Sequence, residues 1–137
     1  MRFLNHNHRD MFYAICRKFE VDMEVRDYVL LMFLLSAIAD ESTVDDLVTY
    51  VGGGSLRIRK DGLSCDWVTG GDARIIRLAY HLFTHSAPTA ETGKRINVQE
   101  LRNYFPLELL DGLDWDLKHV ALEALRLWCF WGDLDGE

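Results

Sequence analysis

A chain of 137 residues, 49% hydrophobic and 27% charged, suits one globular domain over 1–137 with a core of its own. Its 22 acidic against 15 basic side chains leave a formal charge of −7. That balance argues against direct binding to nucleic acid or to an anionic membrane, where like charges repel. The longest apolar run, Tyr28 to Ala39, falls well short of the ~20 residues a bilayer-spanning helix needs. The opening "MRFLNHNHRD" has no apolar stretch of the kind a secretion signal carries, so the chain is expected to be cytoplasmic.

Asn5 or Asn7 is placed to cap a first helix through "RDMFYAICRKF", whose inner stripe is Met11 or Phe12, Ile15 and Phe19. Asp22 caps a second helix from Met23 to about Ala39. It is apolar nearly all round between Val29 and Ile38, which marks the centre of the core. Ser42 and Thr43 then start a short helix, "VDDLVTYV", with Thr43 and Asp46 spaced as a capping box and "GGG" at 52–54 ending it. The β signal is "SLRIRKDGLSCDW". A turn at Asp61-Gly62 pairs Ile58 with Cys65 and Leu56 with Trp67, leaving Arg57 opposite Asp66.

Thr69 with Asp72 makes a second box, opening a helix from about Gly70 to Thr84. A polar loop containing Pro88 and Gly93 follows, then a third box, Asn97 with Glu100, and "VQELRNYF" stopping at Pro106. The last helix starts after Asp114 and carries "WDLKHVALEALRLWCFW". The expected architecture is mostly α (α+β), a compact domain of about five to six helices with one β-hairpin.

The stretch "TGGDARIIRLAYHLFTH" at 69–85 raises the question of chemistry. Its Gly pair lacks the Lys and Ser/Thr, or the full glycine motif, of a phosphate loop, and Asp72 occupies the free N–H groups itself. His81 and His85 have the i, i+4 spacing of a zinc pair, but they share their face with Arg74 and Arg77. "NHNHRD" starts a helix, where successive side chains diverge, so His6 and His8 are not read as a ligand pair. No metal site and no cofactor is assigned. No nucleophile motif occurs, so no catalytic residue is assigned; the leading reading is non-enzymatic, with an enzyme left as the alternative because active sites are spatial rather than sequential. Cys16, Cys65 and Cys129 are widely spaced and read as reduced, buried thiols.

Two surfaces remain. Arg74, Arg77, His81 and His85 look outward while Ile75, Leu78, Ala79 and Leu82 look inward. With Arg57 and Arg59 they either pair with neighbouring acids or present an anion-binding surface. On the last helix, Leu117, Val120, Ala121, Ala124 and Leu125 make the core stripe, and Leu122 and Phe130 fall off it. With Asp111, Asp114 and Asp116 these two form an apolar centre with a charged rim, the anatomy of a protein-binding patch.

"FLNHNHRDMFYAI" and "WVTGGDARIIRLAYHLF" resemble segments of a family of small bacterial proteins, found in phage and mobile-element genomes, to which no function is attached. Phe3, Leu4, Asn5, His8, Trp67, Thr69, Ile76, Arg77, Leu78 and Ala79 carry the resemblance. It implies a cytosolic accessory protein. The leading expectation is a non-enzymatic acidic module with a protein partner, for instance an inhibitor that masks a basic surface. The alternative is a small anionic-ligand binder or enzyme, for a phosphate or nucleotide, using the Arg/His face. A third is a homodimer through the last helix.

Overall fold

The helix α1 (His6–Lys18) begins where its cap dictates. Asn5 is extended, and its side-chain oxygen accepts the His8 N–H at 2.8 Å. Phe12, Ile15 and Phe19 are buried as their spacing requires. The computed structural model describes residues 1–52, 55–88 and 98–133. Asn97 and Gly93 therefore lie outside the described residues.

The second helix is shorter than its composition suggests. α2 (Arg26–Leu35) starts later than Met23, because Asp22 caps only a turn, accepting from Glu24 N at 2.9 Å. Beyond Leu35 the chain tightens into i−3 bonds, Ala37 N to Leu34 O and Ile38 N to Leu35 O. Val29 through Leu35 are all buried. α2 is the central element, and α1, α3 and α6 pack against it.

The segment after α2 departs most from the sequence reading. Ser42 holds the cap position, but the side-chain bonds there come from Asp40: its carboxylate accepts from Ser42 N at 2.9 Å and Thr43 N at 2.8 Å, and Thr43 Oγ1 accepts from Asp40 N at 2.9 Å. Only one 3₁₀ turn follows, over Thr43–Asp46. "VTYV" then continues as a strand, β1 (Val48–Gly52), rather than as a helix. It pairs antiparallel with β2 (Ser55–Ile58), matching Val48 to Ile58, Thr49 to Arg57 and Tyr50 to Leu56. Gly52 ends β1 opposite Ser55, with a φ of +91° that glycine adopts without the cost of a side chain.

Asp61-Gly62 is therefore not the hairpin turn; Lys60–Ser64 is a 3₁₀ segment. The cause is tertiary. The buried Tyr80 hydroxyl donates to the Arg59 carbonyl at 2.6 Å and lies 2.9 Å from that of Leu47. Arg59 N also donates to Leu47 O at 2.7 Å, which carries the pairing to the foot of the hairpin.

α3 (Gly70–Thr84) is capped as expected. Thr69 Oγ1 accepts from Asp72 N, and the Asp72 carboxylate accepts from Thr69 N. After α4 (Val98–Arg102), Pro106 opens α5 (Pro106–Asp111) instead of only closing what precedes it, since a helix's first residue needs no N–H. Asp114 caps α6 (Trp115–Cys129), accepting from Leu117 N at 2.8 Å. Among the described residues, six α-helices and one two-stranded antiparallel sheet make a mostly helical α+β fold. Among the described residues no helix is long and apolar enough to cross a membrane.

Candidate functional site

The outer face of α3 is brought together as the helical phase required, but Arg74, Arg77 and His81 are partly covered and only His85 at its end stays exposed. α5 packs across it. Arg74 donates to the Glu108 carbonyl, and its guanidinium lies against Gly112. Arg77 Nε stands 3.8 Å from Glu100 Oε1, with both side chains only 21% exposed, and that Nε has no hydrogen-bond partner. His85 Nε2 meets Asp27 Oδ2 at 3.0 Å, and His81 Nδ1 meets the Ser86 carbonyl. Arg57 and Arg59 do not extend this face. Arg57 is exposed opposite Thr49, and Arg59 turns to the Asp45 carbonyl at 3.2 Å and to Asp61 at 3.5 Å.

Beside this face lies a cavity of about 500 Å³. α3 supplies Leu78, His81, Leu82 and His85; α5 supplies Pro106, Leu109 and Leu110; α6 supplies Leu125, Trp128 and Cys129, with Tyr104 between. Sequence reasoning did not bring Tyr104 or Cys129 here, because no local pattern joins them to His81. Cys129 is exposed rather than buried, and Cys65 is half-buried; only Cys16 is deep, its thiol pushed up to about 12 by burial. Among the described residues no three His, Cys, Asp or Glu side chains are grouped to hold a metal.

The outer face of α5 and α6 is the other feature. Among the described residues, eleven large apolar side chains are left exposed, and six of them lie from Val98 to Phe130, including Leu107 at 82% and Trp115 at 74%. Leu122 and Phe130 are exposed as expected. Trp115, Leu122 and Phe130 recur at helical spacing opposite the buried Val120, Ala124 and Leu127, so they share the solvent side of α6. Trp115 meets His119 edge-on, and Leu107, Glu108, Asp111 and Lys118 line one shallow concavity. Asp111 and Asp116 are exposed, whereas Asp114 is engaged as the α6 cap.

Behind Leu122, the N-terminal arm closes against α6. Arg2 N donates to Glu123 Oε2 at 2.6 Å, and Arg126 bonds both Glu123 oxygens, at 2.7 and 2.9 Å. Burial raises the Glu123 pKa, but these bonds outweigh it and hold the carboxyl below its usual range. His8 is buried, taking the Leu4 N–H at Nδ1 (3.0 Å) and donating from Nε2 to the Phe33 carbonyl (2.8 Å). Phe3 packs edge-on to that imidazole and against Phe12 and Phe33.

The quoted N-terminal and central segments thus do structural jobs. Phe3, Leu4, Asn5 and His8 tie the arm to α1 and α2. Trp67 Nε1 donates to Asp46 at 3.0 Å, Thr69 caps α3, and Ile76, Leu78 and Ala79 are core. The model of a family of unknown function, DUF6075, matches residues 1–113. The chain belongs to DUF6075. The match takes in α1 through α5, so in this DUF6075 chain the cavity is shared between the matched region and α6. No curated protein and no solved structure matches the chain.

Proposed function

We propose that this DUF6075 chain is an acidic protein-interaction module that binds through the outer face of α5 and α6. The observations that carry this reading are the exposure of Leu107 on α5, which lines a concavity with Glu108 and Asp111, and the exposure of Trp115 at the start of α6, next in the chain to Asp116. An apolar centre ringed by charge has the anatomy of a recognition patch. The fitting partner is an apolar surface rimmed by Lys and Arg. The net charge of −7 would steer it in and make association sensitive to salt. The resemblance to phage and mobile-element proteins suits one version of this, an inhibitor that masks a basic surface of its target.

An anion-binding role for Arg74 and Arg77 has less support, since Glu108 and Glu100 already engage them. The test is affinity capture with the wild type and with a Leu107→Asp/Trp115→Glu variant, after matching their melting curves. A partner held by the wild type, released by salt and lost in the variant supports the reading. A partner held equally by both sinks it.

A further inference from the structure

Trp128 lines the cavity between α3, α5 and α6, and its indole Nε1 is buried without a hydrogen-bond partner. Among the described residues Arg77 Nε shares that state, but Glu100 stands 3.8 Å from it. An indole N–H can only donate. Leaving a buried donor unmade is costly, so such a group calls for an acceptor from outside the chain.

The rest of the cavity says what can carry that acceptor. Its volume of about 500 Å³ falls within the roughly 300–1,000 Å³ of small-molecule sites, and leucines from three helices form its walls. Among the described residues lining it, none is Arg, Lys, Asp or Glu. The two lining histidines are engaged at the Ser86 carbonyl and at Asp27. The nearby Arg26 guanidinium lies 4.7 Å from the centroid of the Trp128 ring, and is held by Asp27 at 3.2 Å and the Trp128 carbonyl at 3.4 Å. A carboxylate here would lose its water without gaining a partner ion, and an ammonium would meet a like charge. As a cation over the ring, Arg26 cannot accept the N–H proton; it draws density from the indole and strengthens the donor.

We propose that this cavity binds an uncharged, mainly apolar small molecule, a ketone, ester or lactone of about bicyclic size, whose carbonyl oxygen accepts the Trp128 N–H. The site goes beyond the partner surface proposed above. Leu110 lines both this cavity and the concavity beside Leu107, so the test leaves it unchanged and uses Leu82 and Trp128, which line the cavity and not that concavity.

Indanone, indane, aminoindane and indane carboxylate share one body and carry a carbonyl, no polar group, a positive and a negative charge. Calorimetry should rank indanone first, about tenfold over indane, the size expected from meeting an orphaned donor, with both charged probes weaker than the ketone. The chain has four tryptophans, and sequential assignment of its proton–nitrogen correlation spectrum identifies the Trp128 indole signal. Indanone should move that signal downfield in proton, and indane should not. In Trp128→Phe the two should bind alike, and Leu82→Trp, which fills the space, should bind neither. Equal binding of indanone and indane to the wild type, tighter binding of either charged probe, a Trp128 signal that indanone leaves in place, or no binding of any probe would each overturn the proposal. The wild-type spectra decide the matter even where a variant fails to fold.

Discussion

His8 Nε2 lies 2.8 Å from the Phe33 carbonyl oxygen, a single imidazole fastening the N-terminal arm to the central helix. Its other nitrogen takes the Leu4 N–H, so both sides of the ring are engaged only while it is neutral. His8→Ala should cost about 2–3 kcal/mol, because it empties a buried ring site and takes the acceptor from the part-buried Leu4 N–H, while the Phe33 carbonyl keeps only the Ser36 hydroxyl as a side-chain donor. Urea unfolding of the variant against the wild type measures this.

The same ring gives a pH dependence of definite sign. Burial, the larger effect, lowers the His8 pKa below its ordinary 6.5, and the Phe33 bond only partly opposes it. The unfolded chain therefore protonates at higher pH than the folded one. His8's contribution is complete above 6.5 and is lost as pH falls from 6.5 toward the lowered folded value. Glu123, also lowered, adds its own loss only below its ordinary 4.5. Urea midpoints across the upper window should fall with pH in the wild type and stay flat there in His8→Ala. Equal slopes would assign the dependence to another group.

The Thr69–Asp72 pair predicts a local effect. Each side chain satisfies the other's backbone N–H at the start of α3. Thr69→Ala should cost about 1 kcal/mol, and the double variant with Asp72→Ala less than the sum of the two singles, since each supports the other's geometry. Hydrogen exchange should accelerate at the first turn of α3 while Tyr80 stays protected. Strict additivity would mean the two bonds act separately.

Two glycines give a paired comparison. A Cβ on Gly62 would stand 2.7 Å from Leu47 Cδ2 and 2.9 Å from the Asp46 carbonyl, whereas one on Gly70 meets nothing within 4 Å. Gly62→Ala should therefore destabilise by about 1–3 kcal/mol through overpacking. Gly70→Ala should be neutral or slightly stabilising, by restricting the unfolded chain. Thermal melts of the two variants suffice. Equal melting points would show that the 3₁₀ segment is not held against Leu47.

What the sequence disclosed follows the range of each signal. The caps at Asn5, Thr69 and Asp114 act across three or four residues, so they and the helices they open were legible. The hairpin was not: Asp61-Gly62 is a strong local turn signal, but Tyr80, about twenty residues on, holds Arg59 to Leu47, and β2 pairs with the preceding strand β1 instead. The fate of the α3 face was equally non-local. Helical phase puts Arg74, Arg77, His81 and His85 on one side, yet nothing in a linear window says that α5 will cross it or that Glu100 and Asp27 will meet it. The cavity has the same origin, since its lining comes from three helices far apart in the chain.

The three cysteines report on the packing independently. Cys129 is exposed at the end of α6, Cys65 is half-buried, and Cys16 is buried on α1. Thiolate is the reactive form. Burial pushes the Cys65 thiol upward, with Asp46 and Asp61 adding to it, and burial holds Cys16 at about 12. Alkylation of the native protein should therefore proceed in the order Cys129, Cys65, Cys16, with Cys16 reacting only when α1 leaves the core. Peptide mapping after timed quenches reads this order directly. Early labelling of Cys16 would mean that α1 is not packed on α2 as described, and the arm fastened by His8 would lose its footing with it.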